Sequence, residues 1–307
     1  MMTMGKRSAL LVGCNYPNTP QQLHGCYNDI QTMHTQLTNR FGFTKKDIKI
    51  MIDAPNSPVK LTGINIGRAL VQMIYEAKSG DTLFFFFSGL GTLVPAIVCP
   101  GNDSSPAIVS CDLDMIKDIE FRHLVNHLPK DATFTFLADS SHSSGLIFGE
   151  KEQKIPDPSG PEPREENHRL RPKTYLNPNQ SSDISDIQSS DISAHLSEVF
   201  GTQVTANFNS ANSQSGFIPC PDDDDNGILL SGCKQIANSF EVDNSYGAFT
   251  NAVDKVLKEH RRPIITNREL VTLARAYLHK ERIRQKPCLF CSDKHADAPF
   301  LVYEIGS

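Results

Sequence analysis

The chain lacks the features that would place it in several large functional classes. Its longest uninterrupted apolar run, Leu83 to Phe87, is far short of the ~18 residues that suggest a membrane span. It has no block of basic residues: Lys45-Lys46 and Arg261-Arg262 are isolated pairs. With a net charge of -5 and a pI near 6.1, this excludes a general nucleic-acid binder. Met1 to Arg7 is too short for the basic and apolar regions of a secretory signal, so a cytoplasmic protein with no membrane association is expected. A second CxxC pair to match Cys288 and Cys291 is also missing, and a tetrahedral zinc site would need one. The eight cysteines are scattered and read as reduced, structural thiols, with a metal or redox pair at 288 and 291 as the lesser reading.

The chain does show alternation. Ser8 to Cys14 is an apolar run ending in Asn15-Tyr16-Pro17, as a buried strand entering a loop does. Cys26 to Arg40 carries helical spacing in Ile30, Met33 and Leu37, and Ile48 to Ile52 reads as a strand. Thr62 is placed to cap a helix running through Ile66, Leu70 and Ile74 to Gly80. Asp81 to Phe87 is apolar on both faces, which predicts a central strand of a sheet covered on both sides. Ala107–Cys111 and Thr133–Ala138 read as further strands, with a helix over Asp118–Leu128 between them. This order predicts an α/β fold, a mostly parallel sheet sandwiched between helices.

From Glu150 to Asn226 the character changes. Pro156-Asp-Pro-Ser-Gly-Pro-Glu-Pro163 cannot hold a helix or a ladder, and Ser, Asp and Asn dominate the rest of the stretch. Residues 150–226 therefore read as a mostly disordered insert, with one short helix expected over Ile192–Phe200. Asp222–Asp225 reads as an exposed acidic linker, with calcium binding as the lesser alternative. Order resumes with a strand at Gly227–Cys233, helices at Gly247–Leu257 and Asn267–His279, and a final strand at Pro287–Ser292. The expected organisation is a large region, 1–149, the insert, and a small region, 227–307, that completes the same sheet.

In open α/β sheets, sites form beyond the carboxyl ends of the strands. Three segments are expected there: Gly89-Leu90-Gly91, Asp139 to Ser144 and Ser231-Gly232-Cys233. The loops Phe87-Ser-Gly-Leu-Gly-Thr92 and Asp139-Ser-Ser-His-Ser-Ser-Gly145 closely resemble the catalytic loops of the metacaspases, caspase-like cysteine peptidases. In that family they read Ser-Gly-His-Gly-Thr and Asp-Ser-Cys-His-Ser-Gly-Gly. Val12–Pro17, His24–Asp29, Tyr246–Asn251 and Cys291–Asp293 resemble its other signatures, and the long insert resembles the plant type II form. The resemblance implies a caspase-like sheet.

Two departures decide what the resemblance can carry. Leu90 stands where the family has its catalytic histidine, and Ser141 where it has the nucleophilic cysteine. Leucine has no titratable atom and cannot accept a proton, and a hydroxyl without an adjacent base is a weak nucleophile. His142 is already part of the family motif beside a separate catalytic histidine, so it is not expected to substitute. His24, His123 and His127 are the remaining candidate helpers, with helical spacing placing the last two on the surface. Ser144 replaces a glycine beside the nucleophile and crowds the approach.

The family's preference for Arg or Lys before the cleaved bond implies that Asp29, Asp139 and Ser140 bind substrate. Other acidic positions of that pocket are lost: Ser105-Pro106 and Gln235–Ala237 stand where the family carries acids. The resemblance also implies a calcium cofactor held near Asp112, Asp118 and Glu120, oxygen ligands of the kind calcium takes. The plainer reading of the latter two is the start of a helix, where carboxylates favour the positive end.

The expectation is thus a monomeric, catalytically inactive pseudopeptidase. Its partners would be active metacaspases or their protein substrates. The alternative is an active cysteine-type endopeptidase that cleaves after Arg or Lys, in proteolysis or programmed cell death.

Overall fold

The computed structural model describes residues 5–95, 104–156, 170–172, 226–233, 240–242 and 246–301. The expected short helix at 192–200, the acidic run at 222–225 and Gln235–Ala237 lie outside them.

A six-stranded sheet forms the centre, with β12 (Cys288–Cys291), β9 (Gly227–Ser231), β7 (Thr133–Asp139), β3 (Thr82–Ser88), β1 (Arg7–Gly13) and β2 (Ile48–Ile52) in that order. All neighbours are parallel except β12, which runs antiparallel to β9 at one edge. This is the expected α/β architecture. Residues 226–301 supply β9 and β12 to the sheet that residues 5–139 begin.

β3 explains why four phenylalanines follow one another. Alternate side chains of a strand point to opposite faces, so a strand buried on both sides must be apolar throughout. Phe85 and Phe87 enter one core cluster and Phe84 and Phe86 the other, and all four are fully buried. Each such ring contributes roughly 1.5–3 kcal/mol by burial. The first cluster is closed by α2 (Gly63–Glu76) and α3 (Asp118–Asn126), through Ile66, Leu70, Ile74, Phe121 and Leu124. Phe85, Phe121 and Phe136 lie with ring centroids 4.6 to 5.8 Å apart. The second is closed by α1 (Cys26–Asn39), α4 (Ala248–Glu259) and α5 (Asn267–Lys280).

Local signals set the helix starts. The Thr62 hydroxyl accepts from the Asn65 N–H, and the Thr266 hydroxyl accepts from the Glu269 N–H.

One strand differs from expectation. Ser104–Val109, β5, covers most of the stretch expected at Ala107–Cys111, yet it is not part of the main sheet. It pairs antiparallel with β4 (Gly91–Pro95) and with β6 (Met115–Lys117). The reason is its neighbour. Gly91 to Pro95 follows the β3 loop directly, and its backbone pairs with β5. A second small sheet joins β8 (Leu170–Pro172), β10 (Phe240–Val242) and β11 (Tyr246–Gly247).

The sheet's two edges differ. Along β12 the chain at Lys151–Gln153 lies antiparallel, with the Gln153 N–H donating to the Leu289 carbonyl at 2.8 Å. The Cys291 N–H donates to the Lys151 carbonyl at 3.0 Å. The start of the stretch assigned to the insert is therefore an edge cover. Along β2, no described strand pairs on the outer side.

Candidate active-site region

β9, β7 and β3 are consecutive in the sheet, so the loops at their carboxyl ends meet. Ser88 is in register with Asp139, and Ala138 with Ser231. The three segments expected to form a site are therefore brought together.

Leu90 sits inside the first core cluster, 1% exposed. Its backbone is tied down on both sides. The Leu90 N–H donates to the Tyr16 hydroxyl at 2.9 Å, and that hydroxyl donates to the Val109 carbonyl at 2.6 Å. The Val109 N–H returns to the Leu90 carbonyl at 3.1 Å. Tyr16 reaches this place from a turn with φ 51°, a left-handed conformation unusual for a bulky residue. The Asp53 carboxylate holds that turn by accepting from the N–H groups of Asn15 and Tyr16.

The second loop lies against the first. A Cβ on Gly91 would stand 1.8 Å from the Ser141 carbonyl oxygen, so only glycine permits this approach. Ser141 is fully buried, and His142 follows it with φ 54°. The Cys233 thiol braces the same loop. It donates to the Ser140 carbonyl at 3.3 Å and accepts from the N–H groups of His142 and Ser143. Burial pushes this thiol up to about 12, with those N–H donors pulling the other way, so at neutral pH it is uncharged. The hydroxyls of Ser143 and Ser231 meet at 2.9 Å. The Ser140 hydroxyl is fully buried with no hydrogen-bond partner among the described residues. Ser144 is 9% exposed, next to Gly145 at φ 81°.

Asp29 and Asp139 converge on the start of α4. The Gly247 N–H donates to both oxygens of Asp29, at 2.8 and 3.0 Å, and the Ser88 hydroxyl donates to the same carboxylate at 2.6 Å. Asp139 accepts from the N–H and the hydroxyl of Thr250, at 2.7 and 2.8 Å. Both carboxylates are fully buried and close to where a Gly247 Cβ would lie. Carboxylate oxygens at the start of a helix are well placed to accept from backbone N–H groups that would otherwise lack acceptors. Composition does not signal this task. The only sequence hint is the glycine before the helix.

The residues expected to hold calcium make other contacts. Asp112 accepts from the Gly63 N–H at 3.1 Å and from the Ser110 hydroxyl. Asp118 accepts from the Ile119 N–H at 2.8 Å and from the Ser105 hydroxyl, and burial pushes its carboxyl up to about 7. Glu120 closes the first turn of α3 by accepting from the Lys117 N–H at 2.6 Å. Among the described residues, no three His, Cys, Asp or Glu side chains are arranged to hold a metal ion.

The histidine helpers divide. His24 is exposed. His123 corrects the expectation of a surface residue: it is buried on α3, and desolvation, with smaller repulsion from His127 and Arg122, lowers it to about 4. Every residue of α3 from Asp118 to Val125 is buried, so no turn of this helix offers the imidazole a solvent-facing side. Cys288 and Cys291 are buried in β12, and none of the described cysteines forms a disulfide. Among the described residues, no helix is long and apolar enough to cross a membrane.

Comparison with known proteins gives a consistent result. A family model described as the caspase domain matches residues 6–298. The chain is 41% identical to Metacaspase-9 of Arabidopsis thaliana, over 96% of this chain and 97% of that protein. It is 32% identical to Metacaspase-6 of the same plant, over 96% and 99%. A Geobacter sulfurreducens protein of known crystal structure shares the fold, with a TM-score of 0.58 over 95% of this chain and 97% of that one, at 15% identity.

Proposed function

The chain belongs to the caspase-domain family of peptidases, in its plant type II metacaspase branch, and from that premise we propose that it is a pseudopeptidase that acts by binding rather than by cutting. One observation carries this reading: Leu90, at the family's histidine position, is a core side chain whose backbone is held by Tyr16. A cysteine or serine nucleophile needs a neighbouring base that can take its proton, and leucine offers none. In serine peptidases, losing one partner of such a pair costs on the order of 10⁶ in rate. The hydroxyl at 141 compounds the loss, because it remains protonated where a thiol beside an imidazole would ionise. Its partners would be active relatives or the proteins they cleave.

A second reading, an active endopeptidase cleaving after Arg or Lys, draws support from the presence of both Asp29 and Asp139. Their carboxylates already accept hydrogen bonds from Ser88, Gly247 and Thr250, which weakens them as a seat for a basic side chain.

The test is a peptidase assay on Arg- and Lys-containing peptides with and without calcium, beside the double variant Leu90→His/Ser141→Cys. No turnover by the native chain is expected. Turnover that disappears in Ser141→Ala would overturn the proposal. Recovery in the double variant would show that the dyad alone was lost, whereas no recovery would add the altered pocket.

A further inference from the structure

We infer that Ser57 is a phosphorylation site for a proline-directed serine/threonine protein kinase that uses ATP. The loop that carries it contains neither dyad position, so the site stands whether or not the chain cuts peptides.

A kinase of this class takes an extended substrate with proline directly after the acceptor. Proline has no N–H, so it leaves no unpaired donor where the kinase offers no acceptor. It also holds the residue before it out of the helical region. A lysine or arginine three residues after the acceptor adds a charge-assisted contact. The chain has three Ser-Pro or Thr-Pro pairs, and one of them has that basic residue. The third residue after Thr19 is Gln22 and after Ser105 is Ile108, whereas Ser57-Pro58-Val59 is followed by Lys60.

The fold separates the three in the same way. The Thr19 hydroxyl donates to the Tyr16 carbonyl at 2.8 Å. Ser105 sits in β5, paired with Val94 of β4, and its hydroxyl donates to the Asp118 carboxylate. Ser57 follows a turn, its N–H donating to the Ala54 carbonyl at 2.9 Å, and residues 57–60 form neither helix nor strand. Its hydroxyl makes no hydrogen bond among the described residues. Pro58, Val59 and Lys60 are exposed, and Lys60 forms no ion pair among the described residues.

The loop is tethered at both ends. At its start the Asp53 carboxylate accepts from the N–H groups of Asn15 and Tyr16 and from the Tyr27 hydroxyl. At its end the buried Leu61 accepts the Cys111 N–H through its carbonyl, and Thr62 caps α2. A kinase can therefore take Ser57 to Lys60 without unfolding the core. In the transfer, the Ser57 Oγ bonds to the γ-phosphorus of ATP and the bond from that phosphorus to the bridging oxygen breaks. ADP leaves, and the hydroxyl proton goes to the kinase's base. The product carries about two negative charges beside Lys60, at the end of the sheet where β1 and β2 finish. That change of surface charge alters which partners this face accepts.

The test incubates the full chain with ATP and a cyclin-dependent kinase, and locates phosphate by mass spectrometry of its peptides. A single phosphate on Ser57 is expected, and Ser57→Ala should take up none in that loop. Pro58→Ala and Lys60→Ala keep the hydroxyl and should each slow uptake by about tenfold or more. Both positions are exposed, so the melting temperatures of these variants should match the native one and exclude misfolding. Phosphate on Thr19 or Ser105 in place of Ser57, uptake by either variant at the native rate, or no uptake by the folded chain would each overturn the site. Peptidase activity would sink the pseudopeptidase reading and leave these results standing.

Discussion

The Tyr16 hydroxyl joins two strands' ends by accepting the Leu90 N–H and donating to the Val109 carbonyl, so one buried oxygen fixes the loop at Leu90. Tyr16→Phe leaves a buried N–H and a buried carbonyl without that partner. An unsatisfied buried group costs roughly 1–3 kcal/mol. Urea unfolding should therefore show a loss of about 2 kcal/mol or more with little change in slope; an unchanged midpoint would refute the bridge.

Asp139 should matter for stability even without catalysis. Asp139→Asn turns an acceptor at the first turn of α4 into a group that also presents N–H donors to Thr250. A loss of about 2–3 kcal/mol is expected for a charge-assisted pair broken in the interior. Thermal melting of Asp139→Asn and Thr250→Val should give similar losses, and the double variant should lose less than their sum. Additive losses would show that the two side chains act independently.

His123 predicts acid sensitivity. Its neutral form is buried, and its folded value of about 4 lies below the ordinary 6.5 of an exposed imidazole. The unfolded chain therefore binds the proton more readily, and stability held above pH 6.5 is lost as pH falls towards 4. The full span is worth on the order of 3 kcal/mol. His123→Gln should flatten the stability profile between pH 6.5 and 4; a profile parallel to the native one would exclude His123 as the cause.

The covered β12 edge predicts a monomer. Gln153 donates through its backbone to Leu289 and through its side chain to the Cys291 carbonyl at 2.9 Å. Gln153→Pro removes the backbone donor and should expose a strand that pairs with other chains. Light scattering should show a monomer for the native chain and larger species for the variant. Gln153→Ala, which keeps the backbone N–H, should stay closer to the native mass.

Much of the central sheet is legible because its cause is local. Four consecutive phenylalanines can only be a strand buried on both faces, and Thr62 marks its helix by a cap three residues from its donor. β5 is harder to place, since Ser104–Val109 is strand-like in either sheet and its partner, Gly91–Pro95, is set only by the fold. His123 shows the same limit: a polar residue on a short helix looks exposed until the fold packs around the whole helix.

The amino-acid sequence by itself determines that position 90 holds no proton acceptor and position 141 no thiol, because titratable chemistry belongs to the side chain and survives any fold. It also determines the order of the main strands, through apolar runs that water would otherwise penalise. Only the tertiary structure decides what Leu90, Asp29 and Asp139 do instead. Tyr16 meets Leu90 across 74 residues, Asp139 meets Thr250 across 111, and Asp29 meets Gly247 across 218. Buried polar groups take whatever partners packing brings within hydrogen-bond reach, and at such separations the folded sheet alone sets which ones those are.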